Sequence, residues 1–262
     1  MKNVERRTVS TCRLTEQEKR EMYRLFEQYY VDVSFASFCS DLSEKTHILS
    51  FRSNGRLVGF STIFRKRFRS LGKATYLFSG DTVLHRNFWS SKALQKSFFW
   101  YILNSKIRSP FKPVYWMLIS KGYKTYLMMR RNFSRSFPRF DSPIPAKLKC
   151  AMDTFYRFKF GEGYDPEKNL ICFRTSHGAV RGLLAAPQPS ATGNPDIAYF
   201  LQVNPEYRNG TELACIAEIR FRDFLGHIAK YFLRIKKTAR PSYESEQRIR
   251  ELNIANPLRS AD

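Results

Sequence analysis

The sequence predicts a mixed α/β (α+β) fold, with a mostly antiparallel central sheet flanked by helices and a C-terminal α/β extension. Three observations carry this expectation. Two helix-like segments open the chain. The hydrophobic period then shifts to that of β-strands for three short runs. A continuous apolar run, Val114-Tyr115-Trp116-Met117-Leu118-Ile119, follows a helical segment and suits a central strand buried on both faces.

In chain order, Thr15 to Tyr30 reads as a first helix. Thr15 and Glu18 have the spacing of a capping box, and Met22, Leu25, Phe26 and Tyr29 fall on one face. A second short helix is expected over Ser34 to Leu42. His47 to Phe51, Leu57 to Phe64 and Ala74 to Phe78 are β-rich runs, separated by Asn54-Gly55 and by a basic stretch ending in Gly72. They predict an antiparallel meander. From Trp89 to Leu103, the residues Leu94, Phe98, Tyr101 and Ile102 recur at helical spacing, and Pro110 and Pro113 break the pattern before the central strand. Lys121-Gly122 marks a turn into a further helix over Tyr123 to Phe133, closed by Pro138.

The second half carries weaker signals. Leu170 to Phe173, Val180 to Leu184 and Ile197 to Val203 read as strands, with Pro- and Gly-rich loops over 187–195. Ala217, Phe221, Phe224, Ile228 and Tyr231 predict an amphipathic helix from Thr211 to about Lys236. The expected organisation is therefore a core over 1–140, an extension packed on it over 141–240, and a polar tail over 241–262.

With 43% hydrophobic and 15% aromatic residues, the chain is built to bury a core and is neither disordered nor low in complexity. The start, Met1-Lys2-Asn3-Val4-Glu5-Arg6-Arg7, has no apolar signal region, and no long uncharged stretch follows, so a cytoplasmic location is expected. Cys12, Cys39, Cys150, Cys172 and Cys215 are widely spaced and odd in number, which argues against a disulfide framework or a zinc knuckle and suggests buried thiols. His177 and His227 stand alone, and no metal site is expected. No phosphate-binding P-loop, kinase signature or serine elbow occurs. The formal charge of +22 steers polyanions toward the chain: nucleic acid, anionic lipid, an acidic carrier protein or the phosphates of coenzyme A.

The succession of two helices, a meander, a helix and a central strand resembles the GNAT superfamily of N-acetyltransferases, over about half the chain. Leu57-Val58-Gly59-Phe60 is similar to a strand common in that superfamily. Leu84-His85-Arg86-Asn87-Phe88-Trp89-Ser90-Ser91-Lys92 stands where its pyrophosphate-binding turn should be. The resemblance implies an acyl-thioester donor, either acyl-CoA or an acyl-carrier protein, docking between the strands Lys73 to Leu84 and Val114 to Ser120. It implies an amine as acceptor, no permanently bound cofactor, and a donor site built from Val83, Leu84, Arg86, Trp89, Ser90, Ser91 and Lys92. At the turn the superfamily uses glycines, which admit the anion to backbone N–H groups at a helix start. This chain keeps Arg86 but has Trp89 and Ser91 at the glycine positions. That change leaves room for an acidic carrier protein as the donor.

Acyl transfer to an amine needs a base for the amine proton and an acid for the departing thiolate. Asp81, in Ser79-Gly80-Asp81-Thr82, is the candidate base or else a turn or bulge residue. His85 is an alternative base or a phosphate contact. Tyr123 and Tyr126 are candidate acids or core aromatics. Two stretches interleave cations with rings: Arg65, Lys66, Arg67 and Arg69 around Phe64 and Phe68, and Arg130, Arg131 and Arg135 before Phe137. Such stretches can bind single-stranded nucleic acid or an RNA acceptor end. A tRNA-binding or aminoacyl-tRNA-dependent protein on the same scaffold, or a non-catalytic interaction module, are the rival expectations.

Overall fold

The computed structural model describes residues 4–30, 33–68, 73–173 and 193–225. Contacts divide the chain at Arg220. The first unit carries every element named below. Of the second, residues 221–225 are described, and they are helical.

The first helix, α1 (Glu16–Phe26), begins with both halves of the capping box in place: Glu18 N–H donates to Thr15 Oγ1, and Thr15 N–H donates to the Glu18 carboxylate at 2.8 Å. A cap of this kind is worth about 1 kcal/mol. Ser34 caps α2 (Phe35–Glu44) in the same way, accepting from Ser37 N–H. The meander β2 (His47–Ser53), β3 (Arg56–Phe68) and β4 (Ala74–Leu84) is antiparallel. Asn54 and Gly55 both take positive φ in the β2–β3 turn, as an Asn-Gly hairpin requires. In Val58-Gly59-Phe60 the glycine is a packing requirement, because a Cβ there would lie 2.8 Å from Val83 O.

After β4, a 3₁₀ turn (Arg86–Ser91) leads into α3 (Ala93–Ile107), β5 (Val114–Ser120) and α4 (Tyr123–Asn132). A two-residue strand β6 (Ser136–Phe137) precedes α5 (Ala146–Phe160), β7 (Tyr164–Asp165), β8 (Leu170–Ile171), α6 (Pro195–Val203) and β9 (Glu212–Glu218). Ahead of all these, β1 (Glu5–Ser10) pairs antiparallel with β2 along its whole length. The sheet order is β1-β2-β3-β4-β5-β9-β8-β7, and among the described residues only β4 and β5 are parallel. This is the mixed α/β class expected from the sequence, a mostly antiparallel sheet flanked by helices.

Three expectations are corrected. Ile197 to Val203 is helical, because Asn194 caps α6 through Asp196 N–H and Pro195 opens it. Glu212–Glu218 is a strand, since insertion between β5 and β8 buries Glu212 to Ala217 on both faces and overrides the helical propensity of its Ala and Glu residues. Only Cys215 is a buried thiol; Cys12, Cys150 and Cys172 are exposed. The expected strand Val180 to Leu184, the helix beyond 225 and the polar tail lie outside the described residues. Because β9 is the neighbour of β5, strands from both sides of residue 140 share one sheet.

Helices α1 and α2 cover one face of the sheet through Met22, Phe26, Phe38, Ile48 and Phe60, and α5 continues that layer over Tyr76, Phe78 and Ile216. On the opposite face, α3 packs through Leu94, Phe98 and Tyr101 over Leu49, Phe51 and Ile63. Tyr156 of α5 sends its hydroxyl into the β5–β9 ladder. It lies 2.9 Å from Leu118 O and 2.7 Å from Cys215 O, and accepts from the N–H groups of the same two residues.

Candidate functional site

Two features of β4 open the sheet at its centre. In its register with β3, Ser61 faces Thr82 and Ile63 faces Ser79, so Gly80 and Asp81 together oppose Thr62. This is a β-bulge, a device that re-aims side chains and ends regular pairing. On the other edge, β4 pairs with β5 only from Thr75↔Val114 to Phe78↔Met117, while β5 continues along β9 as far as Ser120↔Leu213. From Ser79 onward the two parallel strands diverge. Trp116 Nε1 donates to Ser79 Oγ at 3.2 Å at the vertex of this cleft. The resemblance noted in the sequence implies a donor cleft between these same two strands.

Gly80 is tightly enclosed: a Cβ there would meet Thr62 Oγ1 at 2.4 Å and Lys45 Cε at 3.3 Å. Thr62 Oγ1 is buried and has no hydrogen-bond partner. Lys45, the C-cap of α2, is itself buried and donates to Asp41 Oδ1 at 2.7 Å. The Asp41 and Asp81 carboxyls interact with one another, with the Lys45 ammonium alongside. Burial pushes Asp81 up to about 6, with the Asp41 charge adding to it and Lys45 opposing it. For Asp41, burial is outweighed by Lys45, and its carboxyl stays below the usual range.

Two further groups join this cluster. Glu212, at the first position of β9, is buried and paired with Lys121 at 3.4 Å. Burial pushes it up to about 7, Lys121 opposes the rise, and the Asp81 charge adds to it. Tyr30, just past α1 and stacked on Phe26, has its hydroxyl raised by burial and then by Asp81 and Glu212. The ends of α1 and α2, the β4 bulge and the start of β9 therefore converge on two carboxyls poised near neutrality. Glu212 was not among the residues singled out from sequence. Its only signal there is an acidic residue opening an otherwise apolar run, Leu213 to Ala217.

The other expected residues are distributed as follows. His85 caps the 3₁₀ turn, its Nδ1 accepting from Asn87 N–H at 3.3 Å. Tyr126 is buried and donates to Pro138 O at 3.1 Å, within a cluster with Phe200, which makes it a core aromatic rather than an acid facing the cleft. Tyr123 opens α4, is nearly buried, and lines a cavity of about 550 Å³ with Leu127, Arg131 and Asn194. At the expected anion turn Val83 is buried, Leu84 half-buried, and Arg86, Ser90 and Lys92 exposed. Several amides of this turn are already engaged: Phe88 N–H donates to His85 O, and Ala93 N–H donates to Ser91 Oγ. Lys92 holds a left-handed φ of 55°, the kind of position glycine ordinarily fills. The backbone of Trp89 lies within the 3₁₀ turn.

The basic stretches are less available than their sequence suggests. Arg130 is largely buried and bound to Asp196 at 2.9 Å, Arg135 pairs with Glu218 at 2.8 Å, and Arg131 is exposed. On β3, Arg65 is half-buried, Lys66 Nζ sits 3.5 Å above the Phe158 ring, and Arg67 is exposed. Arg69 lies outside the described residues. Among the described residues no group of His, Cys, Asp and Glu is arranged to hold a metal ion, and no helix is long and apolar enough to cross a membrane.

No protein-family model matches the chain, and no curated protein matches it. Among solved structures it is similar to an acetyltransferase from Trypanosoma brucei, at 16% identity and a TM-score of 0.37 over 54% of this chain and 99% of that one. It is similar to an aminoglycoside acetyltransferase from an uncultured soil metagenomic sample, in complex with sisomicin, at 9% identity and a TM-score of 0.40 over 53% and 94%. It is likewise similar to a GNAT family N-acetyltransferase from Escherichia coli in complex with CoA, at 11% identity and a TM-score of 0.36 over 51% and 69%.

Proposed function

We propose that the protein is an N-acyltransferase that moves an acyl group from a thioester donor, held in the β4–β5 cleft, to an amine. The observation that supports this most directly is the pair of carboxyls, Asp81 at about 6 and Glu212 at about 7, converging beside the point where the two strands part. Carboxyls perturbed by burial and a specific charge partner in a cleft are candidate functional groups. Asp81, ionised at neutral pH, accepts the proton of the attacking amine as its nitrogen bonds to the thioester carbonyl. The C–S bond then breaks, and the thiolate leaves with a proton. Glu212, part-protonated near neutrality, is placed to supply that proton or to hold the amine as a cation before attack.

The donor is gripped mainly by side-chain charge, through Arg86 and Lys92, because part of the backbone cradle at the turn is engaged internally. This favours a donor whose affinity does not depend on a glycine-lined pyrophosphate site, as an acidic acyl-carrier protein would be. The test is thermal-shift and native mass-spectrometry screening against acetyl-CoA, longer acyl-CoAs and acyl-carrier protein, with tRNA as the rival ligand. A specific partner raises Tm in proportion to the logarithm of its concentration above Kd. Absence of any thioester response, with Asp81→Asn leaving every detected activity unchanged, overturns the reading.

A further inference from the structure

Helix α3 is apolar on both sides. Its inner side carries Leu94, Phe98, Tyr101 and Ile102 against the sheet. Its outer side presents Lys96, Trp100 and Ile107 at successive steps of four and seven residues, with Phe111 one turn beyond the helix end. Trp100 is 60% exposed, Ile107 56% and Phe111 98%. Large apolar side chains left in water along one stripe mark an interaction surface rather than ordinary scatter. The stripe is flanked by exposed Arg108 and Lys112, and the chain carries no acidic residue between Asp81 and Asp141. Glu218, whose charge reaches Lys106, is already bound by Arg135 and Arg220.

We propose that the outer face of α3 and the loop tip at Phe111 dock on an anionic lipid bilayer. The combination required for peripheral binding is present: aromatic and aliphatic side chains that can enter the interface, with Lys and Arg beside them to meet anionic headgroups. In such binding the buried apolar area and the electrostatic attraction to anionic lipid add. Single-stranded nucleic acid calls for a different surface, a basic groove with rings on which bases stack. Here an aliphatic residue and a phenylalanine at a loop tip occupy the outermost positions of a helix ridge. This surface is separate from the Asp81–Glu212 cluster, so the inference stands independently of the acyltransferase reading.

The experiment is co-sedimentation of the full chain with phosphatidylcholine vesicles containing about one-third phosphatidylserine, beside pure phosphatidylcholine vesicles and a tRNA competitor. The expected result is binding to the anionic vesicles alone, weakened strongly by salt. The triple variant Trp100→Ser, Ile107→Ser, Phe111→Ser is expected to bind tenfold or more weakly with an unchanged circular dichroism spectrum. Phe158→Ser, an exposed aromatic on the opposite face of the sheet, should bind as the parent does. Failure to bind anionic vesicles overturns the proposal. So does equal binding by the triple variant. Loss of tRNA retention in that variant without any vesicle binding overturns it in favour of a nucleic-acid surface.

Discussion

Replacing Asp81 by Asn keeps the shape of the side chain and removes its titration, which makes it the sharpest probe of the central cluster. A carboxyl that moves from 3.8 to about 6 on folding represents about 3 kcal/mol, at about 1.4 kcal/mol per pKa unit. Asp41 is held down by Lys45 and offsets part of this, so the net effect is about 1–3 kcal/mol. The sign follows from proton counting: the folded state binds this proton more tightly than the unfolded chain does. The contribution is therefore complete below about pH 4 and lost as pH rises through about 6. Asn stays neutral throughout. The difference in stability between Asp81→Asn and the parent should be near zero at pH 4, grow between pH 4 and 6, and level off above pH 7 with the variant more stable. In Tm this amounts to about 2–10 °C, measured by thermal denaturation across pH. Over the same range kcat/KM of the variant should be about 10²–10⁴-fold lower, and the parent's activity should fall off below about pH 6, a limb the variant lacks. A stability difference that does not change with pH, or a variant less stable at pH 8, would refute the reasoning, because it would mean that the fold favours the ionised carboxylate.

Glu212→Gln should act in the same direction at higher pH, raising stability above about pH 7 and flattening the basic side of the pH–rate profile; an unchanged profile would exclude Glu212 from proton transfer. Tyr156→Phe strips the hydroxyl from the β5–β9 ladder and leaves the N–H groups of Leu118 and Cys215 without it, so urea denaturation should show a loss of about 2–3 kcal/mol with an unchanged m-value. Arg130→Met leaves the half-buried Asp196 without its partner and should cost about 1–3 kcal/mol, whereas Arg131→Met should cost less than about 0.5 kcal/mol.

Much of the first half of the fold was legible because its local signals and tertiary packing agree. The Thr15–Glu18 capping box forms, the Asn54-Gly55 turn joins β2 to β3, and the apolar run from Val114 becomes the central strand. β1 was missed because Glu-Arg-Arg-Thr-Val-Ser is polar and largely exposed; its pairing is set by the β2 edge and not by a hydrophobic pattern. The signal of α5 was present in Leu148, Ala151, Met152, Phe155 and Tyr156, spaced by three and four, but three lysines and two other charged residues along the helix mask it. In α6 and β9 opposite errors arise from one cause. Short apolar segments carry no reliable period, so the Asn194-Pro195 cap decides one and the vacancy between β5 and β8 decides the other.

The site divides along the same line. Asp81 could be singled out because it lies in the chain segment that forms the cleft, but its protonation is set by burial and then by Lys45 and Asp41 at α2, and it in turn raises Glu212 on β9. These residues are brought to it only by the sheet order and the bulge opposite Thr62. Charge shows the converse: the runs around Arg130 and Arg135 looked most basic in sequence, yet they are spent on Asp196 and Glu218. Among the described residues, exposed cations also lie on and beside α3, where in sequence the stripe Lys96, Trp100, Ile107 is interleaved with residues of the core face. A basic surface is therefore defined by which cations lack internal partners. That criterion is why the proposed docking face is argued from α3 rather than from the arginine clusters, and why the α3 triple variant is its test.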